Sequence, residues 1–161
     1  MADPRQSEPG PGEPLCDETR VEVRYAETDQ MGYAHHGCAV LWFELGRVRW
    51  LRRYAMSYGE LEASGVLLPV VGLSARYHAP ARFEDELAVV TRLAGVTNAR
   101  ITFENRILRI EKGNSPRTLM VSGNVELACV DRASRRLRRV PEVLQRLWDS
   151  ARPAGQGRGS A

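Results

Sequence analysis

The sequence predicts an α+β domain in which a long, curved antiparallel sheet wraps a central buried helix. Three observations carry this prediction. The segment 38–54 reads as a helix and opens with CAVLWF, which is apolar on every side and so has to be buried. Four strand-like segments follow between 66 and 131, joined by short links that favour antiparallel pairing. One strand precedes the long helix and one helix closes the chain, giving the order β–α–(short α)–β–β–β–β–α. A sheet folded around the buried helix is the economical packing for that order.

The first strand is read at RVEVRYAE, 20–27, where Val21, Val23 and Tyr25 alternate with Glu22 and Arg24. ETDQMGYAHH interrupts it, and Gly32 marks a turn. In the helix that follows, Gly46 costs about 1 kcal/mol of helix propensity, which implies close backbone packing against the sheet. Arg47, Arg49, Arg52 and Arg53 mark where this helix emerges into water. SYGELEASG gives a short helix ended by Gly65. Strands follow at 66–78, 86–96, 99–110 and 118–131, separated by APARFED, by Thr97–Asn98 and by KGNSPR. PEVLQRLWDSA closes the pattern as a helix with Pro141 in its first turn. Residues 1–17, rich in Pro and Gly, read as a disordered tail, 18–151 as a single domain, and 152–161 as a second tail. A chain of 161 residues that is 43% hydrophobic supports one core of ordinary size.

Charge excludes more than it suggests. The 23 basic and 20 acidic side chains leave a net charge of +3 with both signs interspersed, a poor match to nucleic acid despite a pI near 9.0. The run RASRRLRR, 132–139, lacks the interleaved aromatics of a nucleic-acid surface and reads as a solvated connector. No apolar run of about 18 residues predicts a membrane span, and the N-terminus lacks a signal-peptide pattern. Cys16, Cys38 and Cys129 cannot all pair and lack zinc spacing. With three histidines and no ligand set at metal spacing, no metal or other cofactor is expected. A reduced, cytoplasmic protein is the expectation.

Three motifs give the chain a family likeness. In ETDQMGYAHH, Asp29 is followed by Gly32 and His36, then by Phe43-Glu44 and Arg47 on the helix. RYHAPARFEDEL carries Tyr77, Pro80, Ala81 and Asp85, and ELACVD leads into VPEVL. Together these resemble the hotdog-fold 4-hydroxybenzoyl-CoA thioesterase family, and within it the acyl-CoA thioesterases encoded beside Tol-Pal genes, over about residues 19–148. One departure stands beside the motif histidine. Many relatives have a Tyr before it and a Tyr or Asn soon after, where this chain has His35 and then Gly37-Cys38.

The resemblance implies hydrolysis of an acyl-CoA, or of an acyl carrier protein thioester, without metal or redox cofactor. It makes Asp29 the central catalytic residue and gives the backbone N–H at His36 to the oxyanion. It also implies a homodimer, or a tetramer of two dimers, with sites at the subunit interface. A carboxylate at 29 can attack the thioester carbonyl directly or deprotonate water; its plainer reading is a turn cap. The open N–H groups of the following helix would polarise the carbonyl. The His36 side chain can orient water or bond the thioester. Gly32, Tyr33, His35, Glu44, Tyr77 and His78 make up the expected substrate-contacting set. Glu44 lies in an apolar helical stretch with Arg47 at i+3, so it reads as a buried ion pair or as a second carboxylate at the site. The rival readings are a non-catalytic hotdog module binding acyl-CoA or acyl carrier protein, a hotdog dehydratase pairing His36 with Glu44, and a basic RNA-binding protein.

Overall fold

A computed structural model describes residues 15–113 and 115–151. Its elements are β1 (Cys16–Glu22), a 3₁₀ turn (Tyr25–Glu27), α1 (Cys38–Tyr54), α2 (Tyr58–Ala63), β2 (Val66–Leu67), β3 (Val70–Tyr77), β4 (Glu86–Val96), β5 (Arg100–Arg109), β6 (Thr118–Ala128), β7 (Val130–Asp131) and α3 (Glu142–Ala151). Five strands form one antiparallel sheet in the order β1-β4-β5-β6-β3. β4, β5 and β6 are successive neighbours, as their short links require. β3 is not paired with β4. The 79–85 link crosses the sheet, so β3 pairs with β6 and β1 takes the free side of β4, leaving β1 and β3 as the two edges.

Several boundaries differ from the expected ones, each for a local reason. The first strand begins at Cys16, inside the segment read as a tail, and Leu15 is buried. Three side chains of α1 hold this stretch: Trp50 Nε1 donates to the Leu15 carbonyl (3.0 Å), the Tyr54 hydroxyl to that of Cys16 (2.7 Å), and Arg53 pairs with Asp17 (2.8 Å). The remainder of the two expected tails lies outside the described residues. At its other end β1 stops at Glu22, because the chain tightens into the 3₁₀ turn, and Tyr25 is 78% exposed rather than inward. The strand read at 66–78 is broken at Pro69, which has no N–H to give a ladder. Its first part, β2, pairs with β7, the separated end of the strand read at 118–131.

The helix α1 buries a stripe rather than its whole circumference. Trp42, Phe43, Gly46, Trp50 and Leu51 face the sheet, but Val40 and Leu41 are exposed, so the expectation that CAVLWF is buried on every side is corrected. The run carries more apolar side chains than the sheet covers. Arg47 is corrected in the opposite sense: it is buried, and its Nε donates to the Tyr58 hydroxyl (3.0 Å), so it anchors α2 to α1 instead of meeting water.

Gly46 does what its position implied. A methyl group there would collide with the Thr91 hydroxyl and come within 3.0 Å of Val89, so the helix backbone rests on β4. Thr91 and Asn105, both fully buried, satisfy each other across the strands (3.1 Å) beneath it. Gly123 is the reciprocal gap in the sheet, where a methyl would run into the Ser74 carbonyl of β3 and lie 2.9 Å from the Phe43 ring. Gly123→Ala is expected to destabilise by about 2 kcal/mol or more, since its neighbour is backbone that cannot move aside. Gly46→Ala should cost less, because regained helix propensity of about 1 kcal/mol offsets part of the clash. Urea midpoints of the two variants against wild type check the size and the order.

Candidate active site

Residues 23–37 connect β1 to α1, and the local chemistry of this link builds the site. Thr28 and Ala34 form an isolated antiparallel bridge, and the Asp29 N–H donates to the Tyr33 carbonyl (2.9 Å). The Gly32 N–H returns to the Asp29 carbonyl (3.0 Å), and Gly32 has φ +77°. This is a three-residue hairpin closed by a left-handed residue, which glycine adopts without strain. Its conformation, not a crowded approach, requires the glycine: a methyl at 32 would touch nothing.

Asp29 begins this hairpin, partly exposed. Its Oδ1 accepts the Met31 N–H (2.8 Å), the turn-capping role its residue type suggests. Its other oxygen has no hydrogen-bond partner among the described residues. The cap therefore occupies one side of the carboxylate and leaves the other open.

Glu27 is the residue that the sequence reading passed over. It is buried, and its carboxylate accepts from the Arg24 backbone N–H and guanidinium, both at 2.8 Å. Burial pushes its carboxyl pKa up, but the Arg24 hydrogen bonds, the guanidinium charge and a bond from Trp42 outweigh it, so the value lies below the ordinary one. The Glu27 carbonyl accepts the His35 N–H (2.7 Å) and the Cys38 thiol (3.5 Å), joining the hairpin to the start of α1. The available signal was an acid leading the Glu-Thr-Asp triplet just where the strand ends. Burial and the Glu27 charge raise the pKa of the Cys38 thiol, so it packs as a neutral donor.

At the helix start the leading amides are nearly all engaged. Cys38 donates to the His35 carbonyl (2.9 Å), Ala39 to that of His36 (3.4 Å) and Val40 to that of Gly37 (3.2 Å). The Gly37 N–H is taken by His35 Nδ1 (3.1 Å). The His36 N–H is left without a partner among the described residues. The His35 and His36 rings lie side by side with centroids 4.1 Å apart, and the Tyr77 hydroxyl donates to the His36 carbonyl (2.6 Å).

The other expected contact residues divide. Tyr77 reaches this loop from β3. His78 instead pairs with the Ser122 hydroxyl (2.8 Å). Ser122 alternates with Gly123, which faces Phe43 of α1, so the His78 ring lies on the sheet face turned away from the helix. Tyr33 stands over the Arg82 guanidinium (5.6 Å to the ring centre). Glu44 is corrected: its side chain is 64% exposed on the same outer face as Val40 and Leu41, 3.9 Å from buried Arg47, so the pair spans the surface instead of bracing a buried helix. In the 132–139 run, Arg132 and Arg138 bond the carbonyls of Glu62 and Gly65, and Arg139 bonds Asn98, as a structural connector would. Among the described residues no three His, Cys, Asp or Glu side chains gather as metal ligands, and no helix is long and apolar enough to cross a membrane.

The model of the thioesterase-like superfamily matches residues 23–147, from the end of β1 into α3. The chain belongs to the thioesterase-like superfamily. Its architecture is the hotdog fold. This thioesterase-like chain is 30% identical to the acyl-CoA thioester hydrolase YbgC of Escherichia coli over 124 residues, 77% of this chain and 89% of that protein. It is 34% identical to the acyl-CoA thioesterase YbgC of Haemophilus influenzae over 113 residues, 69% and 78% of the two chains. The DHNA-CoA thioesterase of Staphylococcus aureus superposes with a TM-score of 0.73 at 27% identity, covering 84% of this thioesterase-like chain and 87% of the other.

Glu27 generates a prediction for the loop. A carboxyl with a lowered folded pKa adds stability that is complete above its unfolded pKa and is lost as pH falls through the folded one. Glu27→Gln should therefore cost on the order of 1–3 kcal/mol at neutral pH, and its deficit should shrink as the solution is taken below the ordinary glutamate range. Chemical melts of wild type and variant between pH 7 and pH 3 check both the size and the convergence.

Proposed function

We propose that this enzyme hydrolyses an acyl-CoA thioester to a free acid and coenzyme A, with Asp29 as nucleophile or general base. The observation that carries the reading is the His36 amide, an open N–H in a helix start whose other leading amides are engaged. A thioester carbonyl placed on it gains a fixed donor where negative charge develops in the transition state. The open oxygen of Asp29 supplies the other half. As a base it would take a proton from the attacking water, leaving hydroxide to add to the carbonyl; as a nucleophile it would add itself, giving a mixed anhydride that water then cleaves. Either route puts charge on the same carbonyl oxygen and expels the thiolate of coenzyme A. The acyl-CoA names of the YbgC relatives support coenzyme A as the carrier. Asp29→Asn keeps the size and the turn-capping oxygen but removes the charge. It should lower kcat by about a hundredfold or more with little change in KM. Free-thiol release across short, long and aromatic acyl-CoAs measures it. Binding without turnover by the wild type would favour the non-catalytic module instead.

Two copies pair, in this reading, along β3. That strand is a sheet edge with an unused side, and Val70, Val71 and Leu73 on it are 48, 49 and 42% exposed. An edge with such side chains is covered in stable proteins, and a second β3 is the complementary surface. Val71→Lys with Leu73→Glu should shift the protein from dimer to monomer in light scattering and reduce thioester hydrolysis at the same time. A monomeric wild type, or a fully active monomeric variant, would sink the pairing.

A further inference from the structure

The peptide group between His36 and Gly37 is held at both ends by side chains from outside the helix. Its oxygen accepts the Tyr77 hydroxyl at 2.6 Å, and its N–H donates to His35 Nδ1 at 3.1 Å. A peptide unit is a rigid plane, so two bonds on opposite ends fix its rotation. The preceding plane, which carries the open His36 N–H, is tied only through the His35 carbonyl, to Cys38 (2.9 Å). Adjacent planes turn against each other about a shared Cα, and locking the second limits the swing of the first.

Gly37 is part of the same arrangement. Its backbone is helical (φ −63°, ψ −21°), so no left-handed angle demands glycine. A methyl at 37 would instead come within 3.1 Å of His35 Nδ1 and 3.5 Å of its Cε1, so it would push the ring a few tenths of an ångström off the amide. The small residue gives the His35 ring its seat over the amide. That ring also engages Gly37 as a donor, leaving the His36 N–H as the open one at the helix start among the described residues.

We propose that Tyr77 and His35 are positioning residues for hydrolysis, a clamp on the 36–37 peptide that aims the His36 N–H at the thioester oxygen. The role rests on the reading of His36 as the oxyanion donor. It differs from substrate contact, the part expected of both residues from the sequence, because neither side chain needs to touch the acyl-CoA. Tyr77 reaches across from β3, so the clamp also fixes the helix start to the sheet edge.

The test uses the full chain with Tyr77→Phe, His35→Ala and His35→Asn, the last keeping an acceptor oxygen close to the place of Nδ1. Tyr77→Phe and His35→Ala should each lower kcat on the order of tenfold, with KM for the acyl-CoA and thermal midpoint near wild type. His35→Asn should recover most of the loss. Because both residues act on one peptide plane, the double variant Tyr77→Phe/His35→Ala should lose less than the product of the single losses. Amide exchange of Gly37, read by NMR, should quicken in His35→Ala and stay slow in His35→Asn. An unchanged kcat, a change confined to KM, or His35→Asn as poor as His35→Ala would overturn the clamp. A wild type that cleaves no acyl-CoA would sink the hydrolase reading and the catalytic purpose of the clamp with it. The clamp as a structural fact would fall separately, on Gly37 exchange that is unaltered in His35→Ala.

Discussion

The rest of the molecule depends on how closely α1 lies on its sheet. Two glycines on opposite sides of the contact set that distance: Gly46 lets the helix backbone reach Thr91, and Gly123 opens the sheet to the Phe43 ring. Phe43, Trp50 and Phe103 are then all fully buried, and the last two meet edge to face with centroids 5.1 Å apart. The contact is close enough to bury a polar pair, Thr91 with Asn105, which would be costly unless mutually bonded. The far end of the helix is fixed by Trp50, Arg53 and Tyr54 on the start of β1. With its middle and its C-terminal end both seated, the helix can present a defined N-terminus.

Two carboxylates two residues apart in that link meet opposite fates, and environment decides which. Glu27 is buried among donors that favour its charged form, so its ionisation serves structure. Asp29 begins an exposed hairpin and gives one oxygen to a single backbone donor. A carboxylate spent on several hydrogen bonds is a poor base and a poor nucleophile, whereas one with an open oxygen keeps its reactivity. The order of the two acids follows from the chain path: the first sits where the strand tightens against the helix, the second where the backbone has already turned outward.

What the sequence made legible was whatever a local rule governs. Gly46 in a helix otherwise without glycine announced a close approach, and the Asp29–Gly32 spacing announced a turn. Motif spacing placed Asp29 and His36 in one link. The misreadings share another cause: they depend on which surface lies opposite. Arg47 carries a charge and so read as solvent-facing, but Tyr58 from α2 meets it. Val40 and Leu41 read as core, yet the five-stranded sheet does not extend over them. The crossing of β3 to β6 is a choice among topologies that short links alone do not make. Glu27 leads the Glu-Thr-Asp triplet at the end of the strand, but its burial depends on the 3₁₀ turn that brings Arg24 onto it and on the helix packed beside it, and the local pattern does not show either.

The site's position on the fold has a consequence for assembly. The His36 carbonyl accepts from Tyr77, which belongs to an edge strand, and Val40 and Leu41 expose apolar surface at the start of the same helix. An edge strand is held from one side only, so a hydroxyl at its end is aimed less firmly than one from the middle of a sheet. A second copy laid along β3 would supply the missing side. It would stiffen the strand that carries Tyr77. If the proposed pairing and the proposed clamp both hold, the partner need donate no catalytic group to matter, because restraining β3 would restrain Tyr77.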